Sequence, residues 1–366
     1  METPARYTLV VSDFHLGLGA RLADGRPNPL EDFPWDEKFC EFLDYYCQKE
    51  YRKAEIDLVI NGDFFNHIQL FAQFEDRPHI MDEATCLKYT QVIVEGHQPL
   101  FEALRTFAHS PGRRVIFTPG NHDMPVIWPA IQTYLSELVG GRVVFMKRAY
   151  IKEGVYIEHG DRYEKFHRLM YPYDDIITQG VENPVLNIPW GTYFLYNVVL
   201  PLKLKRPYVD KVIPFRNYLV WALANDFWLF LLTMMRLAFF ALSTMFRNIG
   251  VHRFPPWYVL SMLLDLRVSP DLTRGALRIF YRYPDVKIVV FGHTHKALYL
   301  PMPGGRSYYN AGCWNEITGM SPGFMGTHKR FTFLEIEHLT HGPKASLKVW
   351  QGQYKPTEPF FHGDIG

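Results

Sequence analysis

Five apolar runs in this chain each end in a cluster of Gly, Asn, Asp and His, and this pattern restricts the fold more than any other feature. Leu9-Val10-Val11 precedes Asp13-Phe14-His15, Leu58-Val59-Ile60 precedes Gly62-Asp63, and Val115-Ile116-Phe117 precedes Gly120-Asn121-His122-Asp123. Val155-Tyr156-Ile157 precedes Glu158-His159-Gly160-Asp161, and Ile288-Val289-Val290-Phe291 precedes Gly292-His293-Thr294-His295. Short β-branched runs closed by turn residues predict buried strands, and residues just past the carboxyl ends of such strands meet at one edge of a sheet. The five clusters therefore predict one site.

A chain of 366 residues that is 48% hydrophobic can bury a full core. Its formal net charge of +1 gives no global basic field, so nucleic acid is not an expected partner. Cys40, Cys47, Cys86 and Cys313 contain no C-x-x-C pair. Cys40 and Cys47 stand seven apart on one helical face, which predicts buried thiols and a reducing cytosol. The start Met1-Glu2-Thr3-Pro4 enters a strand by Tyr7, so a secretory signal is not expected.

Strand and helix signals alternate through residues 1–170, the βαβ pattern of a layered α/β domain. Helices are predicted over about Asp36 to Arg52 and about Met81 to His109. Past the Gly292 cluster, Ser307 to Ala311, Arg330 to Glu337 and Ala345 to Trp350 predict strands of a second, antiparallel sheet stacked on the first. The expected organisation is a core of 1–170 and 271–354, an apolar helical insertion at 171–270, and a surface tail at 355–366.

Within the insertion, Phe227 to Phe246 is apolar except for Thr233, Arg236, Ser243 and Thr244, and as a helix would run about 30 Å. It is long enough to cross a bilayer. The clusters before and after it must nevertheless meet at one site, so a lone span is excluded. Its only partner, Val185 to Leu202, is interrupted by Asn187, Pro189, Gly191, Asn197 and Pro201, and Arg236 at mid-bilayer would cost roughly 2.5–3.5 kcal/mol. A cap that lies on a membrane or covers an amphiphilic substrate is expected instead, with a buried helical subdomain or oligomer contact as the alternative. The linker cations Lys203, Lys205, Arg206, Lys211 and Arg216, against Asp210 alone, suit an anionic lipid surface or a phosphate-bearing lipid, with solvated surface charge as the alternative.

Carboxylate, carboxamide and imidazole without thiolate suit divalent ions of intermediate hardness, namely manganese, iron or zinc. Two adjacent cations need one shared anionic ligand, and Asp63 on its tight turn is the natural bridge. Asp13, His15 and His295 then complete one site, and Asn121, His159 and His293 the other. Such a pair activates water for attack on phosphorus and absorbs phosphoryl charge. His122, beside Asn121, is placed as the catalytic group that protonates the leaving oxygen or steadies the developing charge, with Asp123 expected to orient its ring. Arg21, His67, Arg162, His167 and Arg236 are further candidates for substrate contact. Cys313 lacks a partner for nucleophilic catalysis and is expected to be a buried thiol.

The ordered series D-x-H, G-D, G-N-H-D, H and G-H-x-H resembles the calcineurin-like metallophosphoesterase superfamily across the chain apart from insertion and tail. That resemblance implies a four-layer α/β/β/α sandwich and carries the ligand and acid roles onto Asp13, His15, Asp63, Asn121, His122, His159, His293 and His295, with no ligand missing. Ser12-Asp13-Phe14-His15-Leu16, His159-Gly160-Asp161 and the helical insertion also look like the UDP-2,3-diacylglucosamine pyrophosphohydrolases of lipid A synthesis. The chain departs from that group in its His122, where Arg is typical, in having no Glu soon after Asp63, and in its longer insertion. The expectation is a dinuclear hydrolase, with two Mn2+ ions or Fe or Zn in their place, acting on a phosphodiester or pyrophosphate bond of a lipid-linked substrate. It would work in the cytoplasm, peripherally bound to the inner face of a membrane. The rivals are a soluble enzyme acting on nucleotides or phosphoproteins and a non-catalytic scaffold; the complete ligand set disfavours the scaffold.

Overall fold

A computed structural model describes residues 4–359 apart from 23, 77, 170–174, 179–181, 208, 214, 247–253, 265–270, 322–323 and 353–354. The five predicted strands form: β1 (Arg6–Val11), β2 (Glu55–Asn61), β3 (Arg113–Thr118), β6 (Val155–Ile157) and β8 (Ile288–Phe291). They lie in two stacked sheets rather than one. The first has the order β15-β14-β13-β1-β2-β3-β4, adding β4 (Val143–Phe145), β13 (Phe331–Leu339), β14 (Gly342–Trp350) and β15 (Thr357–Pro359). The second is β5-β6-β8-β10-β9, with β5 (Tyr150–Lys152), β9 (Leu298–Met302) and β10 (Arg306–Asn310).

Side-chain alternation explains the stacking. Leu9, Val11, Leu58, Ile60, Val115 and Phe117 point to one core, built with the helices α1 (Asp36–Tyr45), α2 (His67–Phe74), α3 (Glu83–Gly96), α4 (Gln98–His109) and α5 (Pro129–Val139). Val10, Val59 and Ile116 point the other way, onto Val155, Ile157, Ile288 and Val290 of the second sheet. That sheet's far face, Tyr156, Val289 and Phe291, packs on Ala276, Ile279 and Phe280, the last three from a helix spanning Thr273–Arg282. Each fully buried Val, Leu, Ile or Phe among these contributes about 1.5–3 kcal/mol of transfer free energy. The result is the expected α/β/β/α sandwich.

Several expectations need correction. The first helix stops at Tyr45, and Lys49 turns left-handed with φ 47°, because the buried Arg113 guanidinium donates to the carbonyls of Tyr46 at 2.8 Å and Tyr51 at 2.6 Å. The helix expected over 81–109 is two, α3 and α4, broken at His97, since Pro99 has no N–H for the preceding turn. The three predicted late strands do not make up a second antiparallel sheet: β13 and β14 extend the first sheet and β10 joins the second parallel to β8. Part of the tail, Thr357–Pro359, pairs with β14 as an edge strand, and 360–366 lie outside the described residues. The thiols also differ from expectation at two positions: Cys86 and Cys313 are buried, but Cys40 and Cys47 are half-buried, Cys47 lying past the end of α1.

The insertion supplies α6 (Trp190–Phe194), a π-helical turn over Leu195–Val199, α7 (Leu200–Lys203), α8 (Phe215–Asn225), α9 (Phe227–Phe246) and α10 (Pro256–Leu264). The widened turn sits where Pro201 withholds a backbone donor. Trp190, Tyr193, Phe240, Val259 and Met262 belong to the same buried cluster as Phe71 and Met81, so the insertion shares the main core. The helix preceding β8 is therefore α11 (Thr273–Arg282). A third sheet, β12 (Phe324–Lys329), β11 (Glu316–Ser321) and β7 (Val212–Ile213), ties the insertion to the C-terminal segment. By length and composition α9 could cross a membrane, yet one face is packed: the Trp190 indole donates to Thr244 Oγ1 at 3.3 Å and its ring lies 5.1 Å from Phe240. Its other face exposes Trp228, Met235 and Phe239.

The linker cations are not a lipid-facing row. Lys203 is buried against Asp32, Lys211 lies 3.3 Å from the same carboxylate, and Arg206 pairs with Asp226 at 2.7 Å. A buried carboxylate requires counter-charge, and this requirement turns them inward. Lys205 is exposed, while the side chains of Asp210 and Arg216 lie outside the described residues.

Candidate metal centre

Parallel registers align the chain exits. Val11 pairs with Ile60, Asn61 with Thr118 and Ile157 with Val290, so the loops after β1, β2, β3, β6 and β8 emerge at one end of the stack. Backbone bonds stitch them together: Asp13 N–H donates to Gly62 O at 3.2 Å, His15 N–H to Asp63 O at 2.9 Å and Gly292 N–H to His159 O at 2.8 Å. A Cβ at Gly120 would overlap the Asp63 carboxylate, and one at Gly292 would overlap Ser12 and Asp13. Only glycine lets these turns lie against the carboxylates.

The Asp-Phe-His spacing has a packing cause. Phe14 is driven among the rings of Phe33, Phe39, Phe64 and Trp314, 4.9–5.3 Å away, which turns Asp13 and His15 toward the site. Asp13, His15, Asp63, His293 and His295 all adopt φ between 51° and 68°. Left-handed backbone at non-glycine residues costs about 1–3 kcal/mol each and gathers where function imposes it.

Two groups result, Asp13, His15 and His295, and Asp63, His159 and His293, with Asp63 also grouped with His15 and His122. His15 Nε2 lies 3.0 Å from His295 Nε2 and 3.8 Å from Asp63 Oδ2; Asp13 Oδ1 is 3.3 Å from His295 Nε2; His159 Nε2 is 3.2 Å from Asp63 Oδ2. Lone-pair atoms this close are what ligands at about 2.1 Å from a common ion produce. His159 donates from Nδ1 to Asn61 O at 2.9 Å, leaving Nε2 bare toward Asp63. His293 Nε2 sits 2.5 Å from Glu164 Oε2, the carboxylate partner a ligating imidazole commonly has. The buried Oδ1 of Asn121 has no hydrogen-bond partner among the described residues.

Electrostatics call for cations at this point. Asp13 and Asp63 are fully buried, and their ion pairs among the described residues are all with imidazoles. Burial pushes both carboxyls up, but the surrounding imidazoles together, His159 first among them, outweigh it and both remain low. His15 is held down to about 3, first by burial and then by His122, and so is the neutral, ligating form. The donor set and its bare lone pairs fit two divalent ions.

His122 lies edge-on to His15 at 4.5 Å, and its backbone N–H donates to Asp63 Oδ1 at 2.8 Å. Asp123 does not orient its ring. That carboxylate accepts from Gly120 N–H at 2.6 Å and Phe64 N–H at 2.8 Å, and burial, followed by the charge of Asp63, raises it to about 7. The orienting residue is Asn66, whose Oδ1 lies 2.9 Å from His122 Nδ1. Asn66 Nδ2 in turn donates to Asp32, which is held by Lys203.

The other candidates separate. His67 is core: fully buried, bonded to Thr90 Oγ1 at 2.9 Å and lowered to about 3 by burial. Arg21 is exposed and donates to Gly25 O within its own loop. Arg162 is committed to Glu158 and to the hydroxyls of Tyr156 and Tyr163. Arg236 lies exposed on α9 beside Met235. His167 does reach the cluster, its ring 4.8 Å from that of His293. Asp32, Asn66, Glu164 and Lys203 are the residues that motif reasoning missed. Asn66 and Glu164 follow Asp63 and His159 closely enough to suspect, whereas Lys203 carries no local signal.

The chain belongs to the calcineurin-like phosphoesterase family, whose pattern matches residues 7–297. Members are generally metal-dependent hydrolases, typically with two ions. Similar solved structures include Vps29 of Entamoeba histolytica complexed with zinc, 13% identical with TM-score 0.31 over 94% of this chain and 93% of that one. GAP50, the anchor in the inner membrane complex of Plasmodium, is 10% identical with TM-score 0.35 over 98% and 89%. A dimetal phosphatase of Danio rerio is 9% identical with TM-score 0.35 over 94% and 99%. No curated protein matches the chain in sequence.

Proposed function

We propose that this protein is a dinuclear phosphoesterase that hydrolyses a phosphodiester or pyrophosphate bond in a lipid-linked substrate at a membrane surface. UDP-2,3-diacylglucosamine is one substrate with the required chemistry. The observation that carries the reading is the exposed apolar face of α9, with Trp228 78% and Phe239 71% exposed, on the insertion whose Lys203 holds Asp32, which bonds Asn66, the partner of His122. Patches of this kind mark partners or membranes, and a helix packed along one side suits shallow embedding.

Asp13, His15, Asp63 and His295 would hold one ion, and Asp63, Asn121, His159 and His293 the second. When bound, such ions supply activated water and neutralise phosphoryl charge. His122, its Nδ1–H accepted by Asn66 Oδ1, would serve the leaving oxygen from Nε2 as the doubly protonated imidazolium, passing the Nε2 proton to the departing group. Glu164 keeps His293 oriented, and the aromatic core behind Phe14 holds the first loop rigid.

The test is hydrolysis of UDP-linked acylated glucosamine, phospholipids and nucleotide diesters with Mn2+, alongside vesicle flotation. Preferential turnover of an acylated substrate with vesicle binding is expected. Preference for nucleotide diesters without vesicle binding would overturn the reading.

A further inference from the structure

Beside the candidate metal centre lies a cationic cavity of about 260 Å³, far more than the roughly 10–15 Å³ that one water needs. Its lining includes Lys165, Arg168, Arg274 and Arg278 against two acids, Glu164 and Asp271. Lys165 donates to the Ser261 carbonyl at 3.2 Å, while Arg168, Arg274 and Arg278 take part in no ion pair among the described residues. Arg274 and Arg278 lie one turn apart on α11, where like charges repel. Guanidinium groups outnumbering the acids around a concave wall, and in no ion pair among the described residues, form a fork-donor site for phosphate oxygens. The wall reaches the centre through one side chain, because Glu164 lines the cavity and pairs with His293.

From this juxtaposition we infer that the cavity is a subsite for a second phosphate of the substrate, one not undergoing cleavage. The inference rests on the phosphoesterase reading and narrows it to substrates carrying two phosphate groups. The bound anion bridges Arg274 and Arg278, and its attachment to the rest of the substrate passes the Glu164 side of the cavity. The same chemistry could serve a membrane headgroup, so the experiment separates the two sources.

The double variant Arg274→Gln/Arg278→Gln changes exposed side chains, and its thermal melt checks folding. Calorimetry on chelator-treated protein with inorganic pyrophosphate is expected to show binding weakened at least about tenfold in the variant. With Mn2+, the ratio of kcat/KM for a diphosphate-linked substrate to that for bis(p-nitrophenyl) phosphate should fall by a similar factor. Unchanged pyrophosphate binding together with an unchanged ratio overturns the subsite. A loss confined to flotation on phosphatidylglycerol vesicles also overturns it, in favour of a headgroup contact. If the wild-type protein cleaves neither substrate, the phosphoesterase reading fails, while the metal-free pyrophosphate titration still decides whether the cavity binds phosphate.

Discussion

Lys203 places its ammonium 3.0 and 2.8 Å from the two carboxylate oxygens of Asp32, and both side chains are buried. The pair joins the helical insertion to the first loop region, and Asp32 continues through Asn66 to His122. Burial opposes the Asp32 charge, but Lys203 and then Lys211 outweigh it and hold the carboxyl well below its usual range. Lys203→Met leaves a buried charge short of its main partner and should destabilise the fold by about 3–5 kcal/mol. Denaturant unfolding measures this, and adding Asp32→Leu should recover part of the loss. A single-variant loss under about 1 kcal/mol would mean that Lys211 alone suffices.

Asp63→Ala should abolish hydrolysis and lower bound metal, since its carboxylate is grouped with His159 and His293 and also with His15 of the other group. Metal analysis of purified protein beside the rate assay checks it. Unchanged metal content and rate would rule out Asp63 as a ligand.

Replacing His122 by Gln should slow turnover by about 10²- to 10⁴-fold with metal content retained. Asn66→Leu should slow it less, because the ring would lose its orienting partner but not its proton. Loss of metal in the His122 variant would make that residue a ligand instead.

His97 joins α3 to α4 and faces Asp36 at 2.7 Å and Glu31 at 3.6 Å. Burial pulls its pKa down, but these carboxylates outweigh burial and raise it to about 9. A folded pKa above the unfolded value of about 6.5 adds stability that is complete below pH 6.5 and lost as pH rises through 9. Unfolding free energy should therefore fall by a few kcal/mol, in order of magnitude, between about pH 6.5 and 9.5. His97→Gln should flatten that slope, and an unaltered slope would assign it to other groups.

Trp228, Met235 and Phe239 are exposed on α9, whereas neighbouring Phe240 is buried on Trp190. Replacing the first three by Ser should leave the melting temperature within a few degrees and abolish vesicle flotation. Flotation that survives would move any membrane contact elsewhere.

Residues near one another in sequence settled much of this protein. The apolar runs before Asp13, Asp63, Asn121, His159 and His293 specified buried strands and the clustering of ligand-type side chains past their ends, because strand periodicity and turn chemistry are local properties. The bounds of α9 were equally legible, since its composition changes sharply at both ends. Long-range packing decided the rest. Only the fold could bring Lys203 to Asp32 across 171 residues, take the ring of His122 from Asp123 and give it to Asn66, bury His67 as core, and gather Arg168, Arg274 and Arg278 around one cavity. A buried charge or polar group must find its partner wherever the chain delivers one, and no sequence period encodes that choice.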